Sequence, residues 1–397
     1  MRIIEICEPL REGVGRHVTD ISVGLRERGH DVHVAYSPHR SDRALVERLT
    51  LTKGISLVPI PMRREPSLSD IGALLAIRRY IARHGPFDIV HGHSSKAGVL
   101  ARLACAIGTS RVIYTPHAFA TMNQTSPRLK LFAYQVIERA LAPIANRIIC
   151  AASDEYSHAR DRLKISDKRL VTLFNCIDPT TFRRESDLRN ELGLEPSVPI
   201  IGFVGRLEYQ KGADIAIAAL PQILAAHPTA ILVIIGEGIE RQRLEAQALS
   251  SGVTRAVRWL GVRKAREYFH NLDLLLCPSR YDGGAYTVIE GLYSGLPVVC
   301  TAVGIARDVI RDGVNGFALP SADPEAMAAA ANALLSDLDL RRRISEAARR
   351  SGGYFHTARM LDELEEIYLG RLSGYRPVPL ETSFGNASRV ADGKSEL

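Results

Sequence analysis

A chain of 397 residues with a net charge of +7 is too long for one comfortable core and suits two domains. Its composition, 46% apolar and 24% charged, is that of a globular protein, and no uncharged apolar stretch is long enough to span a bilayer. The basic residues are scattered and no nucleic-acid module is recognisable. The positive charge therefore points to anionic ligands or an anionic membrane face, and nucleic acid is not an expected partner.

Met1-Arg2 leads at once into an apolar run over 3–7 that reads as a strand, so no signal peptide is expected. The six cysteines lie far apart without a Cys-x-x-Cys pair. This implies reduced, buried thiols, a cytosolic setting and no zinc site. Gly13-Val14-Gly15 reads as a turn, followed by an amphipathic helix over 16–28 with Val18, Ile21 and Leu25 on one face. Gly29 ends it and a strand over 32–36 follows. Such a turn invites phosphate, but it lacks the three spaced glycines and downstream acid of a dinucleotide site, so a plain tight turn stays open.

A strand is expected over 55–59 and a helix over 69–83. Arg78, Arg79 and Arg83 lie there beside Leu74, Leu75, Ile77 and Ile81. Either the helix packs on the sheet with a solvated basic side, or it presents a membrane-surface face. A strand over 87–91 runs into His91-Gly92-His93, then a helix over 97–107 and a strand over 111–115. The two histidines suggest a metal, but no third ligand follows at a suitable spacing. His117 sits just past a strand end, where α/β sheets bind ligands. A neutral imidazole there suits a sugar hydroxyl or phosphate, or a structural role. A long helix over 126–145 carries further basic residues. Strands over 147–151 and 170–174 precede a polar, Pro-containing hinge over 178–199.

The second half restarts the pattern. A strand over 199–206 leads to helix 213–226, with Arg206 and Lys211 flanking the loop between them. Two cations beside a helix N-terminus make a plausible diphosphate clamp, against two solvated loop cations. Strand 230–235, helix 240–250, strand 257–260 and helix 263–270 follow. An apolar strand over 272–277 then enters a loop, 278–285, holding Asp282 and Gly283-Gly284. A helix over 286–294 is stopped by Gly295, and a strand over 298–301 closes the unit. Asp282 and Glu290 bracket that helix start with seven residues between them. Each alone reads as a cap or a surface acid; together, on a glycine-rich loop, they point to a site. Helices over 324–336, 340–350 and 357–369 precede a polar tail, 373–397, expected to be disordered.

In this order, the segments EGVGRHVTDISVGLRERGHDV, HGHSSKAGVLARLA, YTPHAF, FVGRLEYQKG, IIGEG and CPSRYDGGAYTVIEGLYSGLPVVCTAVG resemble the family 4 glycosyltransferases. The resemblance covers nearly everything before the tail. It implies an α/β fold of GT-B architecture: two facing Rossmann-like domains with a cleft between them. These would be an acceptor-side domain over 1–180, rejoined by a return helix over 357–370, and a nucleotide-sugar domain over 197–355. It implies retaining transfer of a hexose from a UDP- or GDP-sugar, without a metal or other cofactor. HSSKAG followed by YTPHAF is most similar to members that build exopolysaccharide, capsule or O-antigen units on a lipid carrier. The acceptor would then be a lipid-linked saccharide or oligosaccharide, at the cytoplasmic face and in reach of the anionic inner membrane surface.

The resemblance also implies residue roles. Arg206 and Lys211 match the cations that neutralise the leaving diphosphate, and Glu290 the acid that binds the ribose hydroxyls. Asp282 takes the place of the acid that contacts the donor sugar, usually a Glu one methylene longer. The backbone of Gly283, Gly284, Ala285 and Tyr286 would hold sugar hydroxyls and phosphate. His117 matches the histidine near the reacting carbon, and Gly13 and Gly15 the loop near the phosphates. Glu12 stands where a first glycine is common. A GT-B sugar-nucleotide epimerase and a non-catalytic nucleotide-sugar-binding subunit are the alternatives.

Overall fold

A computed structural model describes residues 1–123, 125–182 and 186–378 of the chain. The first half contains strands β1 (Arg2–Cys7), β2 (Asp31–Tyr36), β3 (Ile55–Pro59), β4 (Ile89–His93), β5 (Arg111–Thr115), β6 (Arg147–Cys150) and β7 (Leu170–Thr172). Its helices are α1 (Glu12–Glu27), α2 (Arg43–Leu51), α3 (Ser69–His84), α4 (Ser94–Ala104), α5 (Arg128–Leu141) and α6 (Ser153–Ser157). The second half contains β8 (Ile200–Val204), β9 (Ile231–Ile235), β10 (Val257–Gly261), β11 (Leu274–Cys277), β12 (Val298–Thr301) and β13 (Phe317–Leu319). With them are α7 (Leu188–Glu191), α8 (Ala213–Ala226), α9 (Arg241–Ser250), α10 (Tyr286–Tyr293), α11 (Ile305–Val309), α12 (Pro324–Ser336), α13 (Leu338–Gly352) and α14 (Thr357–Tyr368).

The strands form two sheets, ordered β3-β2-β1-β4-β5-β6-β7 and β10-β9-β8-β11-β12-β13, and their pairings are parallel. A strand covered by helices on both faces has no polar side, which is why β9 is a run of five buried aliphatic residues. Both sheets reverse strand order at one point, β1/β4 in the first and β8/β11 in the second. Ligands bind in the crevice outside the carboxyl ends of such strands. This is the GT-B architecture. The last helix, α14, returns to the first sheet: Arg28 of α1 pairs with Asp362 and Glu365 at 2.7 Å each, and Leu361 packs over Gly24.

Several elements differ from the sequence expectation. The turn expected at Gly13–Gly15 is the first turn of α1. Gly15 is buried, and a Cβ there would lie 2.4 Å from the Leu10 carbonyl carbon, so its role is close packing. His91 and His93 are inside β4, and α4 starts three residues early. The helix expected over 263–270 is two separate single turns, Ala265–Glu267 and Phe269–Asn271. So short a segment gains too few hydrogen bonds to offset nucleation. The tail expected from 373 is placed as far as Val378: Gly374 bridges to Val171, and the Arg376 N–H donates to Thr172 Oγ1 at 2.7 Å. Residues 379–397 of that expectation lie outside the described residues.

Candidate active site

Both switch points open on one cleft of about 640 Å3 between the sheets. The residues to which the resemblance gave roles line it except Gly15 and Glu290, and His91 and His93 are not on its wall. On the second-half wall, Arg206 lies two residues past the end of β8 and Lys211 closes the loop before α8. Gly212 permits that closure: it has φ +71, and a Cβ there would sit 2.0 Å from the Pro278 carbonyl oxygen.

Neither cation is idle. Arg206 pairs with Glu208 at 2.8 Å and reaches across the cleft to Glu12 at 3.3 Å. Lys211 Nζ lies 2.6 Å from Asp282 Oδ2, and Asp282 also accepts from Ser279 Oγ and from the Gly283 N–H. The shorter Asp282 is thus folded back onto Lys211. Glu12 itself holds φ +54, a left-handed conformation that suits glycine.

The loop from Asp282 to Tyr286 is one place where the two halves touch. Asn175 Nδ2 donates to the Gly284 carbonyl at 2.6 Å, and a Cβ on Gly284 would lie 2.4 Å from that nitrogen. A side chain at position 284 would therefore displace Asn175 from this contact between the halves. Glu290, 5% exposed, lies behind the loop and not on the cleft wall. Its Oε1 sits 2.5 Å from Arg16 Nη1 of α1 and 3.1 Å from Arg266 Nε, while the Arg16 guanidinium stacks on the Tyr286 ring at 4.0 Å. In this state Glu290 ties the two halves together.

On the first-half wall the sheet assembles a cluster that spacing concealed. Register places Glu5 beside His91, and His93 beside Thr115. Glu5 Oε2 lies 2.7 Å from His93 Nε2, and His93 Nδ1 lies 3.1 Å from His117 Nε2. Tyr368 of α14 donates to Glu5 Oε1 at 2.9 Å and contacts His91 Nδ1 at 2.8 Å. Burial alone would raise the Glu5 carboxyl, but His91 and His93 hold it far below the usual range. Burial pushes His17 and His93 down to about 4, and His117 down as well, with the neighbouring imidazoles adding to the effect.

The protons then follow from chemistry. Ionised Glu5 can only accept, so His93 Nε2 carries a proton and His93 Nδ1 accepts. His117 Nε2 must give the proton in that contact, which leaves Nδ1 as its free acceptor. His117 and Ala118 hold φ +53 and +75, and the turn is fixed by buried Glu155, which accepts from the Ala118 and Ala151 N–H groups at 2.6 Å each. Sequence reading missed Glu5, His17, Glu155 and Tyr368. The signal for the first was a Glu in an apolar strand and for the last a Tyr ending an amphipathic helix, both unremarkable without the register.

The Glycosyltransferase Family 4 model matches residues 11–181, and the Glycosyl transferases group 1 model matches residues 185–351. The chain is 28% identical to a D-inositol 3-phosphate glycosyltransferase of Corynebacterium urealyticum, over 82% of this chain and 79% of that one. It is 33% identical to a glycogen synthase of Mycobacterium tuberculosis, over 92% of both. Among solved structures, Anabaena HepE in complex with UDP-glucose superposes with a TM-score of 0.79 at 20% identity, covering 94% of this chain and 100% of that one. Two parallel sheets with paired switch points, a shared cleft and these matches converge: the chain belongs to the family 4 glycosyltransferases, enzymes of GT-B architecture.

Proposed function

We propose that this glycosyltransferase moves a hexose, with retention, from a UDP- or GDP-sugar to a lipid-linked saccharide in cell-surface polysaccharide synthesis. The observation that carries the reading is the pair Arg206 and Lys211 at the β8 end of the cleft. Both are neutralised by acids, Glu12 and Glu208 on one, Asp282 on the other. A diphosphate takes over both cations. Lys211 then releases Asp282, whose carboxylate becomes available to the donor-sugar hydroxyls. The cations offset the charge that grows on the leaving diphosphate, which is electrostatic stabilisation of the transition state and asks nothing of a metal. The N–H groups of Gly284, Ala285 and Tyr286, at the start of α10, favour the same charge. His117 Nδ1, an acceptor, takes a donor-sugar hydroxyl. Glu290 serves the ribose only after exchanging its contact with Arg16.

Retention proceeds by departure and attack on one face of the sugar, with a leaving phosphate oxygen receiving the acceptor proton. The test is transfer of labelled sugar to a polyprenyl-diphosphate saccharide, with the anomer read by NMR. An α-linked donor should give an α-linked product. An inverted product would overturn the mechanism, and isomerised donor in the absence of acceptor would favour an epimerase.

The acceptor's lipid fits the first-half surface. Leu68 (88%), just before α3, Ile71 of α3, and Leu129 (80%) and Phe132 (61%) of α5 are exposed, the last two beside Arg128 and Lys130. Lys130 of α5 pairs with Glu65, next to the cleft-lining Arg64, so this surface adjoins the cleft mouth. No described helix is long and apolar enough to cross a membrane. Exposed apolar and basic groups together favour an anionic bilayer surface. Salt-sensitive sedimentation with anionic liposomes is expected, and indifference to lipid charge would retire the membrane contact.

A further inference from the structure

The histidine cluster holds more imidazole than a single sugar contact requires. We propose that His17, His93 and His117 form a three-nitrogen site for a divalent transition-metal ion of the zinc class, opening on the cleft at His117. The three come from α1, the end of β4 and the turn after β5, and their ligand nitrogens all lie within 4.8 Å of one another. Their ring centroids are 4.8 Å (His17–His117), 5.3 Å (His93–His117) and 5.7 Å (His17–His93) apart. Three imidazoles on one tetrahedral ion, with metal–nitrogen bonds of about 2.0 Å, have nitrogens about 3.3 Å and centroids about 5 Å apart. The observed His93 Nδ1–His117 Nε2 distance is 3.1 Å.

Two further observations point to a ligand. His17 Nδ1 is buried and makes no well-formed hydrogen bond, although the Asn175 side chain lies near enough to act on the ring. Glu5 receives the other ring nitrogen of His93 at 2.7 Å, the carboxylate–histidine pairing that orients metal-bound imidazoles. The neighbouring trio Glu5, His91 and His93 is a poorer candidate, because both nitrogens of His91 are taken by Tyr368 and Thr115. The proton balance closes without an external base. The proton on His117 Nε2 moves to Nδ1, and both Nε2 of His117 and Nδ1 of His93 become free to ligate.

The ion takes no part in the transfer. It withdraws His117 from the donor sugar and turns its remaining nitrogen from acceptor to donor. Zinc is therefore an inhibitor that competes with the sugar half of the donor; this consequence, unlike the site, rests on the reading proposed above.

The experiment titrates chelator-treated, full-length protein with Co2+ and then Zn2+ in the absence of donor. The expected result is one Co2+ per chain with the intense visible absorption of a four-coordinate centre, displaced by Zn2+. His117→Ala, whose side chain is half-buried at the cleft, and His17→Ala should each weaken binding by about 100-fold or more. Glu5→Gln should weaken it about tenfold. Circular dichroism and melting temperature establish that the variants are folded. Absence of a one-per-chain site in the wild type, or unchanged affinity in folded His117→Ala, overturns the proposal. UDP-glucose and GDP-mannose should lower the apparent Zn2+ affinity, whereas UDP and GDP should not. Zinc binding that ignores both sugars would count against the donor placement and leave the metal site standing.

Discussion

Glu12→Gly removes an acid that faces the clamp from the opposite wall. Glu12 Oε2 lies 3.3 Å from Arg206 Nε and its backbone holds φ +54. Relief of a left-handed backbone is worth about 1–2 kcal/mol, but the added freedom of glycine takes back about 0.5–1 and the half-exposed ion pair about 0.5. Stability should therefore change by no more than about 1 kcal/mol and decides little. Affinity decides more. A diphosphate on Arg206 would lie roughly 6 Å from the Glu12 carboxylate. At an effective dielectric between about 20 and 80, with salt screening, that repulsion is about 1–2 kcal/mol. Removing it should tighten binding of the cognate nucleoside diphosphate about five- to thirtyfold in a calorimetric titration. Glu12→Gln, which keeps the backbone strain and removes the charge, should tighten it as much. Unchanged or weaker binding in both variants would refute the placement of the diphosphate on Arg206.

Glu5→Gln places an amide, able to donate, where His93 requires an acceptor, and so disturbs the proton on His117. Turnover should fall about tenfold or more with nucleotide affinity unchanged; a drop in melting temperature alone would make Glu5 merely structural. Gly284→Ala puts a Cβ 2.4 Å from Asn175 Nδ2, so Asn175 must give up its hydrogen bond to the Gly284 carbonyl, and turnover should drop at least about tenfold. Wild-type kinetics would show that this contact is dispensable. Stability should depend on pH through the buried imidazoles. His17 and His93, pushed from 6.5 down to about 4, bind fewer protons folded than unfolded. Their contribution is whole above pH 6.5 and is lost as pH falls towards 4, by about 3 kcal/mol each at most. Glu155, pushed up to about 7, works the other way between about 4.5 and 7, as one group against several. A melting temperature that stays flat from pH 7 to 5 would contradict the neutral, buried cluster.

Much of the fold was legible because its strands are apolar runs with buried-strand length. Helices such as α8 and α14 carry clear periodicity between a glycine or polar start and a defined stop. What stayed hidden was short or polar: α2 between two strands, α6 beside its five-residue π turn, and the brief α11 and β13. The cleft-lining residues were readable because they lie in loops just past strand ends, Arg206 two residues after β8 and His117 two after β5. The electrostatics were not. That Lys211 is held by Asp282, that Glu290 is tied to Arg16 some 274 residues earlier, and that Glu5 supports His93 all depend on register and on how the halves face each other. Sequence spacing showed no third ligand beside His91 and His93 because the groups around them come from β1, α1 and the turn after β5.

The central claim, a nucleotide-diphosphate sugar held by Arg206 and Lys211, is met most directly by a thermal-shift screen of UDP, GDP, ADP and their sugars on the wild type and on Lys211→Ala. A ligand at a hundred times its dissociation constant adds about 2.7 kcal/mol, or roughly 5–10 °C for a domain of this size. One base and its sugar should raise the wild-type melting temperature by that much, and the variant's by far less. No shift with any nucleotide, or an equal shift in both proteins, would contradict the claim.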